Sequence, residues 1–289
     1  MAGPEIDPMT GYKTTGHEWD GIKELTTPIP GWWVTVFLAT CFFSVVYMWL
    51  YPSIPTMDNV YEGRLGWSSE RQLVNDMVAA DVEQSHWRSL LASTPLDEVE
   101  SNEQLRRFAV AGGKAAFNEN CAPCHGVGGG GQIGQFPALV DDAWLWGGTV
   151  DDIYTTIKYG IRSGNDEARD SLMPTFGDML SEQEITEVSQ YVLALSDPST
   201  DGTRSAMPGA ELYEVNCASC HGANGGGGRD FGAPRLNDAI WLYGGTLADI
   251  ERQVTNPKMG VMPAFGTKLD DDTVRMLAVY VHTLGGGES

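Results

Sequence analysis

The chain has 289 residues, with 39 acidic side chains against 18 basic ones and a formal charge of −21 at neutral pH. So large an acidic excess repels nucleic acid and steers basic partners instead, which excludes a nucleic-acid-binding role.

Residues 1–30 read as an N-terminal tail, and no charged residue occurs between positions 25 and 57. Within that stretch the run from Gly31 to Tyr51 is strongly apolar. About 21 helical residues at ~1.5 Å each cross a hydrocarbon core of ~30 Å, so residues 31–52 are expected to form one transmembrane helix. Trp32 and Trp33 at one end and Trp49 and Tyr51 at the other sit where interfacial aromatics belong, and Pro28, Pro30, Pro52 and Pro55 bracket the span. A cleaved signal peptide is the poorer reading, because the run starts late, is too long and lacks a small-residue cleavage site after it. Cys41, mid-span, reads as a small packing residue. Lys13 and Lys23 before the span are balanced by Arg64 and Arg71 after it, so local charge says little about orientation.

Residues 53–100 form a linker in which positions 68–92 read as a helix. Leu73, Met77, Val78, Val82 and Leu90 give it only a broken apolar stripe, as expected of a connector resting on a partner or on the next domain.

Beyond it the sequence repeats. Cys121-x-x-Cys124-His125 aligns with Cys217-x-x-Cys220-His221; Gly113, Phe117 and Asn120 fall over Gly209, Tyr213 and Asn216. Downstream, Trp144-Leu-Trp-Gly-Gly-Thr149 matches Trp241-Leu-Tyr-Gly-Gly-Thr246, Met173-Pro-Thr-Phe-Gly177 matches Met262-Pro-Ala-Phe-Gly266, and Tyr191-Val192 matches Tyr280-Val281. Two tandem helical domains follow, 101–200 and 201–289, each roughly 80 to 100 residues, near the small end for an independent domain. In each, a helix enters the motif and another closes the repeat. The first closing helix opens with the capping box Ser181-x-x-Glu184 and continues with Ile185, Val188, Val192 and Leu195 on one face. Val274, Leu277, Val281 and Leu284 repeat that stripe. The glycine runs 128–131 and 225–228 begin loops and are no phosphate cradles, since no Gly-Lys-Ser/Thr follows.

On one helical turn the two thiols and the imidazole of Cys-x-x-Cys-His project toward one flat ligand, the pattern of covalent c-type haem attachment. Cys121, Cys124, Cys217 and Cys220 are thus expected to bond two haems, with His125 and His221 as iron ligands. A structural zinc held by four thiolates has no need of the His that follows both motifs. The only repeat-matched candidates for the opposite axial position are Met173 and Met262. A thioether there stabilises Fe(II) and leaves no open site, which suits electron transfer and implies no catalytic residue in this chain. His17, His86 and His282 have no counterparts across the repeats, and Met179, Met207 and Met259 are unpaired spares. Which Met serves which iron stays open, since a ligand can cross between facing domains. Pro137 and Pro234 are candidates to orient the two His rings through their carbonyls. Trp144 and Trp241 are candidates for the haem edge, and Arg162 and Arg235 for the propionates.

The segment Thr14-Thr-Gly-His-Glu-Trp-Asp-Gly-Ile-Lys-Glu-Leu25, with the following Thr-Pro-Ile-Pro-Gly-Trp-Trp33 and the apolar span, resembles the N-terminal signature of the diheme c-type subunit of cbb3-type cytochrome c oxidases. The haem motifs, the Trp-Leu-Trp-Gly-Gly-Thr and Trp-Leu-Tyr-Gly segments, Val-Met-Pro-Ala-Phe-Gly and Val-Tyr-Val-His-Thr-Leu-Gly-Gly-Gly resemble the same family in order and spacing. The resemblance implies an all-α chain with one membrane helix and two haem domains that takes electrons from a periplasmic cytochrome c and relays them to a monohaem subunit. Dioxygen is then reduced in a separate haem-copper subunit of a proton-pumping oxidase. Some relatives have two membrane helices, and this chain shows one. Since c-type haem is attached outside the cytoplasmic membrane, the haem domains are expected to be periplasmic and the tail cytoplasmic, on a single pass through the bacterial inner membrane. A free-standing tethered shuttle and a diheme peroxidase-type enzyme are the alternatives.

Overall fold

The computed structural model describes residues 3–57 and 59–288. Its contacts fall into two units, one ending at Glu83 and one beginning at Gln84. Half of the chain is helical.

In the first unit, Asp20 and Gly21 both take positive φ, 49° and 86°. Such a pair closes a two-residue hairpin whose twist matches its strands. The hairpin joins β1 (Thr14–Trp19) to β2 (Ile22–Leu25), with Trp19 opposite Ile22 and Glu18 opposite Lys23. The all-α expectation leaves out this small sheet, although Asp-Gly between apolar residues is its usual signal. Pro30 precedes α1 (Gly31–Leu50), which is long and apolar enough to cross a membrane. None of its residues is buried by the rest of the described chain. Thr40 Oγ1 donates to the Phe37 carbonyl and Ser44 Oγ to that of Thr40, each at 2.8 Å, so these hydroxyls need no water. Trp33 stacks on Phe37 near one end and Tyr47 on Tyr51 at the other.

The linker helix α2 spans Ser69–Ser93. Its last turns belong to the second unit, where Leu91 is fully buried and Arg275 donates to the carbonyls of Leu91, at 3.2 Å, and Thr94. A guanidinium on the free carbonyls of a helix C-terminus satisfies acceptors that no intrahelical N–H can reach. The helices α3 (Leu96–Val99), α4 (Glu103–Asn120), α5 (Ala122–His125), α6 (Val150–Tyr159), α7 (Glu182–Leu195), α8 (Gly209–Asn216), α9 (Ala218–His221), α10 (Leu247–Thr255) and α11 (Asp271–His282) follow. The capping box expected at Ser181 and Glu184 starts α7, and Thr246 with Asp249 builds a second one on α10.

Two apolar cores form in this unit, and they do not follow the sequence repeats. The first is built by α4, α6 and α11, that is, by the opening part of the first repeat and the closing helix of the second. The second is built by α7, α8 and α10, the closing helix of the first repeat on the opening part of the second. Phe117 meets Tyr280 at 5.4 Å between ring centroids, and its counterpart Tyr213 meets Tyr191 at 5.1 Å. Each crossing is made at a glycine. A Cβ on Gly113 would stand 2.2 Å from the Met276 carbonyl oxygen, and one on Gly209 2.1 Å from that of Glu187. The expected division at 200/201 therefore marks the end of a sequence repeat, whereas packing exchanges the last third of each repeat with the other. Homologous halves present near-identical surfaces, so an exchanged helix finds the same contacts on either core. The end of the 53–100 linker also joins the first core, through Leu91, Leu96 and Val99.

Candidate cofactor sites

Each motif begins one residue after an entering helix ends and turns once more. Cys124 N and His125 N both bond to Cys121 O, at 3.1 and 2.9 Å; Cys220 N and His221 N bond to Cys217 O at 3.2 and 2.9 Å. The two thiols and the ring of each motif thereby share one side of a helical turn. A loop then folds back over the turn. Gly131 N donates to His125 O at 2.7 Å and Gly227 N to His221 O at 2.8 Å, which carries Pro137 and Pro234 to the rings. His125 Nδ1 lies 3.0 Å from Pro137 O, and His221 Nδ1 3.0 Å from Pro234 O. A carbonyl only accepts, so each Nδ1 bears the proton and each Nε2 keeps a lone pair for a metal. Among the described residues neither Nε2 is given a hydrogen bond. The expected role of the two prolines is thus the geometry observed.

Burial lowers the pKa of both rings against the opposing effect of the proline carbonyls, which favours the neutral imidazole a metal needs. Burial, reinforced by the second thiol of each motif, pushes Cys121 and Cys217 up to about 11. All five cysteines are free of disulfides. The two Cys-x-x-Cys pairs belong to different cores, and among the described residues no three His, Cys, Asp or Glu side chains converge as a metal cage. Four thiolates around one zinc would need them together.

The methionines complete the picture in an exchanged sense. Met262 packs on the core that contains Cys121, and Met173 on the core beside Cys217. Trp144 lies at the first of these cores and Trp241 at the second, each ring held against the glycine four positions on, Gly148 and Gly245. Each site thus combines two thiols and a ring on one turn, a free Nε2, and a thioether and an indole packed on the same core. That donor set and shape fit a covalently attached haem.

Other sequence candidates are placed elsewhere. His282 uses both ring nitrogens, Nδ1 toward Glu100 at 2.6 Å and Nε2 toward Glu288 O at 2.8 Å. His17 and His86 are exposed. Arg235 lies 4.0 Å from Asp142, and Arg162 donates to the carbonyls of Gly260 and Ser171. Met259 stands beside Met173, its sulfur accepting from Met173 N at 3.4 Å.

A family model described as cytochrome c oxidase, cbb3-type, subunit III, matches residues 108–192 and 204–281, and one for the N-terminal domain of cytochrome oxidase-cbb3, FixP, matches residues 11–58. The cbb3-type cytochrome c oxidase subunit FixP of Azorhizobium caulinodans is 47% identical over 98% of this chain and 96% of its own length. The subunit CcoP of Azospirillum brasilense is 44% identical over the full length of both, and FixP of Rhizobium meliloti 45% identical over 98% of each. The chain belongs to the subunit III family of cbb3-type cytochrome c oxidases. As a member of that family, it is a membrane-anchored electron-transfer subunit of the respiratory chain that carries covalent haem c and works within an oxidoreductase complex.

Proposed function

We propose that this subunit III holds two haems and acts as the electron entry of its oxidase, with no dioxygen-reducing site of its own. Cys121 and Cys124 bond one haem and Cys217 and Cys220 the other. His125 and Met262 would hold one iron, and His221 and Met173 the other, one ligand from each repeat. The observation that carries this reading is the packing of each Met on the core that holds the other repeat's motif, whose His leaves Nε2 free. When bound, each haem passes a single electron by cycling between Fe(III) and Fe(II).

The chain's own part is positional. Proline carbonyls fix the proton on Nδ1, so each His offers iron a neutral nitrogen in one orientation. Met262 and Met173 would supply the second ligand of each iron, which would keep small oxidants off it and favour its reduced state. The buried cores exclude water, which limits reorganisation when charge changes. An acidic exterior draws in a basic cytochrome c donor. The partners are that donor, a monohaem c subunit and the haem-copper catalytic subunit. The haem units lie on the periplasmic side of the bacterial inner membrane and the tail on the cytoplasmic side, on a single pass.

Mild-detergent purification tests the assignment. The chain is expected to leave the membrane with a haem-copper subunit attached, to show the long-wavelength charge-transfer band of Met-ligated ferric haem, and to bind no carbon monoxide when reduced. Isolation free of any haem-copper subunit favours a tethered shuttle. Ready carbon monoxide binding in place of the band favours a peroxidase-type enzyme.

A further inference from the structure

The two exchanged segments pass each other at one place, just after α6. Ile161 and Met262 share a two-way backbone bridge there, Ile161 N to Met262 O at 3.0 Å and Met262 N to Ile161 O at 2.9 Å. Gly160 lies so close that a Cβ on it would stand 2.4 Å from Met262 O. The next residue is Arg162, a non-glycine residue in the left-handed region at φ +51°. A residue with a Cβ adopts that region only where its surroundings impose it. Here the surroundings are the loops bearing both methionines. Arg162 Nε donates to Gly260 O at 2.8 Å, two residues before Met262, and Nη1 donates to Ser171 O at 3.2 Å, two residues before Met173. Its backbone N bonds Arg169 O at 2.8 Å, which closes the turn from the other side. Among the described residues no carboxylate pairs with this guanidinium.

We propose that Arg162 is a positioning residue shared by both haem sites. Its planar fork sets the two Met loops in register, and its unpaired charge favours reduced iron in both sites together. Resting on the axial pairs assigned above, the proposal makes the repeat unit unequal. The corresponding stretch of the second repeat, positions 256–261, offers no arginine, so a single residue serves two irons. A fork is suited to this task because two donors in fixed geometry reach two acceptors at once, which an ammonium on a flexible stem does not reproduce. A positive charge near a haem stabilises the form with one more electron, so its loss lowers the midpoint potential.

The test compares R162Q, R162K and R252Q with the unmodified chain in the purified oxidase by potentiometric titration and by the Met charge-transfer band. Arg252, exposed and paired with Asp249 at 2.6 Å, controls for loss of one charge elsewhere. In R162Q the reduced-to-oxidised ratio at a fixed potential is expected to fall about threefold or more at both haem components, the order of effect of one uncompensated charge at an effective dielectric of ~20. R252Q leaves both in place. R162K retains the charge and restores the midpoints, but the Met band of both haems fades at a lower temperature than in the unmodified chain. A shift confined to one component, no shift, or an equal shift in R252Q overturns the proposal. Should R162Q fail to assemble, R162K decides alone, and a band as persistent as that of the unmodified chain overturns it. A Met band in the unmodified oxidase with R162Q without effect sinks only this inference, whereas absence of that band sinks the axial assignment as well.

Discussion

Two groups on this chain are free to take a metal, the Nε2 atoms of His125 and His221, and each is left unprotonated by a proline carbonyl 3.0 Å from Nδ1. The thioether opposite is the decisive partner. In a chain whose second motif is disabled by C217S and C220S, M262A is expected to abolish the Met band of the remaining haem and to let reduced iron bind carbon monoxide, while M173A spares both properties. The reverse pattern would return each Met to its own repeat. At this scale the candidates were legible in the sequence. Motif spacing names both thiols and the ring, and duplication singles out Met173 and Met262 from the eleven methionines. The choice of iron is not legible, because aligned residues are interchangeable by construction. Phe117 against Tyr280 and Phe117 against Tyr191 satisfy the same pattern. Arg162 is visible as a residue, and its role is not, since only the exchange brings Gly260 and Ser171 to the same guanidinium.

Between elements, helix crossings at single glycines hold the exchange together. G113V places side-chain atoms where α11 backbone runs, and an overpacked contact of this kind costs about 1–3 kcal/mol. The melting temperature is expected to drop, with G209V doing the same at the α7–α8 crossing. A second contact joins α6 to α11, where Lys158 Nζ and Tyr154 Oη donate to Asp271 Oδ1 at 2.8 and 2.5 Å. The hydrogen bond from Lys158, then that from Tyr154, holds the Asp271 carboxyl below its ordinary value. Stability from this contact is therefore complete above the unfolded carboxyl's pKa of about 3.9 and is lost as pH falls through the lower folded value. D271N is expected to flatten that acid limb in a thermal-denaturation series; because Asp271 is half exposed, the effect is small. Secondary structure within the repeats was readable from caps and stripes such as Ser181 with Glu184. The Asp20–Gly21 hairpin was readable too, although the strongly helical remainder of the chain hides it.

For the whole molecule, the charge of −21 has a kinetic meaning. Association with a basic cytochrome c is expected to slow steeply as ionic strength rises from ~0.01 to ~0.15 M, because screening shortens the reach of the field from ~30 to ~8 Å. Stopped-flow reduction rates across that range check it, and a flat profile would place recognition in apolar contacts instead. The anchor was legible at this scale because a charge-free apolar run long enough for a bilayer has few other uses in water. The division of the haem part was not, since 13 residues join α7 to α8 and nothing in their composition tells whether the chain turns back on its own core or enters the next.

The exchange also orders events in time. Cys121, Cys124 and His125 are made before Met262 and α11, which pack on the same core. Until α11 arrives, the first pocket stays open along one side and accessible to an incoming haem. A polypeptide cut short anywhere before Met262 can never close it. Closing the first core therefore waits until the second motif has been made.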